Sequence, residues 1–128
     1  MAAAIVAAAR GLLGVPFRLQ GRCAERGVDC VGLVELALAR AGHGVAGPRG
    51  YGLRFGDEAR ARGWLAAAGL RAVEEARPGD VALVRPGPLQ LHLMIVAPGG
   101  HVHAHAGLGR VVETPGASPW PLIGHWRA

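Results

Sequence analysis

Residues 27–42 read GVDCVGLVELALARAG, and this stretch has the features of a largely buried helix. Asp29 is a favoured N-cap, because its carboxylate can accept hydrogen bonds from the free N–H groups of a first helical turn. Gly42 is a typical end signal. Only two residues between these ends are charged. The stretch therefore predicts a helix that packs against a core and carries Cys30 in its first turn.

The position of Cys30 is typical of a nucleophile. The dipole and free N–H groups of a helix N-terminus favour an anion, so we expect the pKa of this thiol to be lowered towards the thiolate. The alternative is a small buried cysteine that only packs. Cys23, in a glycine-flanked loop, is the weaker candidate nucleophile. A disulfide between the two cysteines remains open, because two cysteines are no disulfide framework.

The composition predicts one globular domain spanning residues 1–128. The net charge of +5 comes with fourteen arginines and no lysine, but the arginines are scattered, which does not favour a nucleic-acid partner. The apolar N-terminal run ends at Arg10, so it is too short for a membrane span, and it lacks the basic start of a signal peptide. We therefore expect synthesis in the cytoplasm, with any work outside it depending on lysis, a dedicated export route or packaging into a particle.

The order of local patterns predicts an α+β fold. Helical composition comes first, at residues 2–13, 29–42 and 57–68, separated by glycine-rich loops at 18–28 and 42–56. Short β-rich runs joined by Pro/Gly turns follow, and they predict a five- to six-stranded antiparallel sheet. The expected strands are 70–75, 81–84, 90–96, 101–105, 110–113 and an edge strand within 120–126.

Absent residue types favour cysteine as the nucleophile of a covalent hydrolase. The chain has one serine, one threonine, no lysine and no asparagine, and its serine has no Gly-x-Ser-x-Gly turn around it. A thiol needs a base within hydrogen-bond reach, and histidine is the usual partner.

His92 is the candidate base, because it stands in the middle of an apolar strand where an imidazole needs a partner or a function. A hairpin turn at residues 98–100 would place His103 on the neighbouring strand. His103 could then hold the ring of His92 in the required tautomer, a role that a carboxylate or amide fills in other triads. The alternative for His92 is a core histidine with satisfied hydrogen bonds.

A metal site is the rival interpretation of the histidines. His101, His103 and His105 alternate along one predicted strand, so they would share a face and could ligate zinc. No Asp or Glu lies between His92 and Arg110 to orient these rings or to act as a base. We therefore expect no metal and no other cofactor.

Several motifs in order resemble the NlpC-type family of papain-like cysteine peptidases. Residues 27–34 (GVDCVGLV) resemble its G-x-D-C-S-G-L-V signature, and residues 13–18 (LGVPFR) resemble its L-G-x-P-Y-x segment. Further along, residues 78–83 (PGDVAL), 92–96 (HLMIV) and 102–104 (VHA) resemble its P-G-D turn, its H-V-G-I-Y-V strand and its I-H-A segment.

The resemblance implies a papain-like fold and an endopeptidase that cuts peptidoglycan stem peptides in the cell wall. It implies Cys30 as nucleophile, His92 as general base and acid, and His103 as the orienting residue. It also places three residues at the substrate groove, of which the first and last depart from the family pattern: Phe17, Asp29 and Val31. A Gln-Gly pair at residues 20–21 replaces the usual Gly-Gly.

Residues 109–115 (GRVVETP) and the compact size most resemble the phage-tail or gene-transfer-agent subgroup of these peptidases. The partners expected on that basis are the peptidoglycan peptide and proteins of a phage-like particle, with no nucleic acid and no membrane. Two alternatives remain at this stage. One is an inactive structural component of a phage-like tail, and the other is a metal-dependent hydrolase that uses the histidine strand.

Overall fold

A computed structural model describes residues 1–44, 46–48, 50–52 and 56–128. Its helices are α1 (Ala2–Arg10), α2 (Cys30–Arg40) and α3 (Glu58–Ala67). Its strands are β1 (Arg22–Cys23), β2 (Gly27–Val28), β3 (Arg71–Val73), β4 (Val81–Gly87), β5 (Gln90–Ala97), β6 (Gly100–His105), β7 (Arg110–Pro115) and β8 (Leu122–Arg127). The predicted α+β class with an antiparallel sheet is confirmed.

Helix α2 begins where the sequence predicts. Asp29 is its N-cap, and Oδ1 accepts a hydrogen bond of 2.9 Å from the backbone N–H of Gly32. The first turn lies so close to a neighbouring loop that a Cβ on Gly32 would stand 2.0 Å from the carbonyl oxygen of Gly21. Glycine is therefore required at residue 32 for this loop to pack against the start of the helix. The helix ends at Arg40 and has Ala41 as its C-cap, and Gly42 follows with a left-handed φ of 88°.

The loop before α2 holds a strained residue. Gln20 has a φ of 58°, a conformation that costs a non-glycine residue about 1–2 kcal/mol. Its own hydrogen bonds hold it there, because its backbone N–H donates to Asp29 and its amide donates to the carbonyl of Tyr51. The region 18–28 was expected to be loop throughout, but β1 and β2 pair within it as a short antiparallel hairpin with two residues in each strand.

The six-stranded sheet has the order β3-β8-β4-β5-β6-β7, and all of its neighbouring pairs are antiparallel. The prediction of an edge strand within 120–126 is wrong in position, since β8 lies between β3 and β4. A proline inside a central strand would lose a ladder hydrogen bond, but Pro121 precedes β8 and costs none. The edge position belongs to the short strand β3 instead, which pairs along only three residues.

The two faces of the sheet are covered differently. The register pairs Ile95 with Val102, so alternate residues of β5 and β6 share a face. The face of Ile95 and Val102 belongs to the main core, together with apolar residues of α1, α2 and α3. The opposite face carries Met94 and Val96 in a small second cluster covered by Trp120. By the same alternation, His92 and His103 lie on this second face.

The hairpin between β5 and β6 turns through Pro98 and Gly99, and Gly99 has a φ of 77°. The pairing runs from Ala97–Gly100 to Ile95–Val102 and stops there. Beyond that point the backbones of β5 and β6 are no longer paired, so His92 and His103 contact each other through their side chains. At the other side of the sheet, β7 is not an open edge, because Val111 exchanges backbone hydrogen bonds with residues 14–15.

The loop predicted over 42–56 lies partly outside the described residues. Connections of this kind usually run over the surface, yet Tyr51 is only 7% exposed. The chain around it is held against α2 and β1. The N–H of Gly47 donates to Glu35 of α2, and Arg22 of β1 donates to the carbonyl of Pro48. Within the described residues, no helix has the length and apolar character needed to cross a bilayer.

We expect Asp29→Ala to lower the free energy of unfolding by about 3–5 kcal/mol, because it removes a buried carboxylate and leaves the paired Arg22 charge with fewer partners. Urea denaturation would measure the loss. Asp57→Ala is the matched control: Asp57 caps α3 at an exposed position, so its removal should cost about 1 kcal/mol. Equal losses in the two variants would contradict this account of Asp29.

Candidate active site

A cavity of about 400 Å³ opens at the start of α2. This volume is in the range of small-molecule sites. Cys30 and His92 both line it, and Trp120 forms part of the wall beside His92. The structure thus brings the predicted nucleophile and the predicted base to one cavity. The third predicted residue, His103, lies behind His92 and is 1% exposed.

The prediction of a lowered thiol pKa at Cys30 is wrong. Burial, and then the negative charge of Asp29, raise the pKa of the Cys30 thiol to about 11. The backbone N–H groups of Leu93 and Val31 lower the pKa of this thiol, and within the described residues His92 is hydrogen-bonded to His103 rather than to Cys30. These N–H groups offset only part of the burial cost. Burial and the carboxylate of Asp29 thus raise the pKa of the thiol by more than the helix N-terminus lowers it.

His92 and His103 form a hydrogen-bonded pair. Nε2 of His92 lies 2.9 Å from Nδ1 of His103, and the two rings meet edge to face with centroids 5.1 Å apart. The far nitrogen of His103, Nε2, lies 3.4 Å from Oγ1 of Thr114. The chain from His92 through His103 to Thr114 therefore leaves Nδ1 of His92 as the ring nitrogen outside this relay.

Trp120 packs edge-on against both imidazoles, with its ring centroid 5.5 Å from that of His92 and 5.6 Å from that of His103. Burial is the main reason why the pKa of His92 is lowered to about 3 and that of His103 to about 4. The nearby imidazole of His105 lowers both pKa values further. Both rings are therefore neutral near pH 7, so each can serve as a hydrogen-bond acceptor.

The three residues predicted at the substrate groove, Phe17, Asp29 and Val31, all line this cavity. Their contact with substrate stays a prediction. The two oxygens of Asp29 already accept hydrogen bonds from the protein. The donors are the backbone N–H groups of Gln20 and Gly32, the guanidinium of Arg22 and the hydroxyl of Tyr51.

Among the residues that the structure describes, the histidine strand does not assemble as a metal site. Within the described ranges, no three His, Cys, Asp or Glu residues form a group that could hold an ion. Both nitrogens of His103 face other partners, and Nδ1 of His105 accepts the N–H of Leu108. Nδ1 of His101 is buried without a hydrogen bond. The two cysteines are free thiols.

Sequence reasoning missed several residues that shape the site. Trp120 belongs to no periodic pattern, so nothing in the local sequence signals its place over the histidines. Tyr51 lies in a stretch without periodicity, and Arg22 is one of many scattered arginines. A hydrogen bond joins the side chains of Arg22 and Tyr51, and both also bind Asp29.

Solved structures of NlpC/P60 domains share this fold. One match is NlpC1 from Trichomonas vaginalis, at a TM-score of 0.68 and 18% identity. The alignment covers 97% of this chain and 44% of that chain. It matches the P60 domain of an antigen from M. avium subspecies paratuberculosis at a TM-score of 0.64 and 24% identity, covering 98% of this chain and 92% of that one.

A third match is the peptidoglycan hydrolase RipB from Mycobacterium tuberculosis, at a TM-score of 0.60 and 23% identity, covering 99% of this chain and 63% of that chain. No protein-family model and no curated protein sequence matches the chain. The chain therefore has the papain-like fold of NlpC/P60 domains.

We expect the stability of the protein to fall between pH 6.5 and pH 5. The folded pKa values of His92 and His103 lie below the ordinary 6.5, so the unfolded chain takes up protons that the folded chain does not. The contribution of these neutral histidines to the free energy of unfolding is fully present above pH 6.5. It is lost as the pH falls, by about 2 kcal/mol per histidine at pH 5. Urea denaturation at pH 7.5 and pH 5 measures this loss.

The matched control is the double variant His92→Gln/His103→Gln, which should lose about 4 kcal/mol less over the same pH interval. An unchanged pH dependence in the double variant would show that other groups cause the loss.

Proposed function

We propose that this chain is a cysteine peptidase that hydrolyses peptide bonds in peptidoglycan stem peptides through Cys30, His92 and His103. One observation carries the proposal: Cys30, in the first turn of a buried helix, lines the same cavity as His92, which is hydrogen-bonded to His103. The structural match to RipB, described as a peptidoglycan hydrolase, supports the substrate class.

The hydrogen-bond relay defines the tautomers that catalysis needs. If His92 is to accept a proton at Nδ1, its Nε2–H must donate to Nδ1 of His103. His103 then carries its own proton on Nε2, and this N–H donates a hydrogen bond to the hydroxyl of Thr114. Each donor in this relay therefore meets an acceptor. His103 is a positioning residue in this scheme, because it acts on the substrate only through His92.

The raised pKa of Cys30 and the lowered pKa of His92 mean that the resting pair is a neutral thiol and a neutral imidazole. We infer that the proton moves to His92 as the sulfur attacks the carbonyl, rather than before substrate binds. His92 then returns that proton to the leaving amine, and water hydrolyses the thioester. The thiol and the imidazole are regenerated.

The backbone N–H of Cys30 is one donor for the developing oxyanion. Cys30 is the first residue of α2, so its N–H has no helical carbonyl partner. A free N–H at the position of the nucleophile can stabilise the negative oxygen of a tetrahedral intermediate. The positive end of the helix dipole acts in the same direction.

We expect Cys30→Ala and His92→Ala each to lower the rate of stem-peptide cleavage by about 10³-fold or more, because the nucleophile and its base act as a unit. Incubation with defined muropeptides and mass analysis of the products measures the cleavage. Cys23→Ala is the matched control, since this second thiol donates to Glu25 in the loop before α2, and this variant should retain activity. Full activity of Cys30→Ala would refute the proposal.

An inactive structural component of a phage-like tail is the second candidate. The raised pKa of Cys30 favours it, because a thiol that stays protonated is a weak nucleophile. With either candidate, we propose that the protein is part of a phage-like particle or reaches the cell wall after lysis. Co-purification with tail particles would test that placement.

The two candidates predict different effects of His92 on the reactivity of Cys30. If His92 is the base, His92→Ala should slow the alkylation of Cys30 by iodoacetamide near pH 7.5, measured by mass spectrometry. The peptide containing Cys23 provides the internal control, because its rate should not change. An equal rate at Cys30 with and without the imidazole would favour the inactive candidate.

A further inference from the structure

The cavity at Cys30 extends between two helices, and that part of its wall is apolar. Val34 and Leu38 lie about one and two turns beyond Cys30 on α2, and they line the cavity together with Ala61 and Leu65 of α3. All four side chains belong to the main core and are 1–6% exposed. A group bound in this part of the cavity would therefore contact hydrocarbon on both sides.

The polar side chains on this side of the cavity already have partners within the protein. The oxygens of Asp29 accept from backbone and side-chain donors, including the hydroxyl of Tyr51. Oε2 of Glu35 accepts from Arg22 and from the N–H of Gly47. Because burying an unpaired polar group is costly, a polar side chain would gain little by entering this space.

The position of His92 decides which part of a substrate faces the apolar wall. In the proposed reaction His92 must reach the leaving group to protonate it, so the leaving group lies beside His92 and Trp120. The acyl part, which stays bonded to Cys30, is then left with the part of the cavity away from His92, which includes the residues of α2 and α3 that line it. The apolar part of the cavity therefore faces the acyl side of the bond that is cut.

We propose that this space is an apolar acyl pocket and that Cys30 reacts with carboxyl derivatives that carry a linear aliphatic acyl chain. This inference rests on the proposed cysteine chemistry but goes beyond peptide substrates. The sulfur attacks the ester carbonyl, and the alcohol or phenol leaves with the proton that His92 took from the thiol. Water then hydrolyses the thioester and releases the carboxylic acid.

The experiment is a chain-length series of p-nitrophenyl esters, from acetate through butyrate to hexanoate, with release of p-nitrophenol as the readout. The rate with Cys30→Ser is subtracted at every chain length. Because each buried methylene is favourable by about 0.8 kcal/mol at most, kcat/KM can rise by up to about fourfold per methylene. We expect at least a tenfold rise between acetate and hexanoate for the unmodified chain.

A variant pair tests where the chain binds. Ala61→Phe fills the pocket from α3 and should bring the ratio of the hexanoate rate to the acetate rate close to one. Ala66→Phe is the matched control, because Ala66 is exposed on the same helix and does not line the cavity, so it should keep the ratio. Circular dichroism of both variants checks that they fold, and the series on the unmodified chain needs no substitution.

The outcomes separate this inference from the proposed function. A flat or falling chain-length series, with stem-peptide cleavage or acetate turnover that depends on Cys30, would overturn the acyl pocket alone. No Cys30-dependent turnover of any ester or muropeptide would overturn both. A rise with chain length that Ala66→Phe removes as fully as Ala61→Phe would also contradict a pocket between α2 and α3.

Discussion

The structure depends on one buried carboxylate. Asp29, 2% exposed, starts α2 through the N–H of Gly32 and also binds Arg22, Gln20 and Tyr51. A single side chain thus joins helix α2, the loop before it and the segment around Tyr51 that lines one side of the cavity. A buried charge of this kind is favourable only when all its partners are in place, so helix, loop and segment must be assembled together.

The same carboxylate has an opposite effect on the chemistry. It creates the helix terminus whose free N–H groups favour an anion, but its own charge stands next to the sulfur and raises the pKa of Cys30. The charge that orders the site therefore also favours the protonated form of the Cys30 thiol. A buried pair of neutral groups is easier to stabilise than a thiolate–imidazolium pair.

Much of this could be predicted from local patterns. The cap at Asp29, the short strands between Pro/Gly turns and the pairing of His92 with His103 all follow from residues close together in the chain. The position of β8, the cover that Trp120 provides and the buried Tyr51 depend on contacts between distant segments, which no spacing encodes. The thiol pKa was mispredicted because helix position is local, whereas burial is set by the whole fold.

The two-residue turn at Pro98 and Gly99 has a consequence for how the chain can vary. Side chains on a strand alternate between faces, so adding or removing one residue there would move His103 to the face occupied by Val102. His92 would then lose its imidazole neighbour even though every functional residue remained in the sequence. The length of this turn is therefore more constrained than its residue types, because the length decides whether the two imidazoles meet.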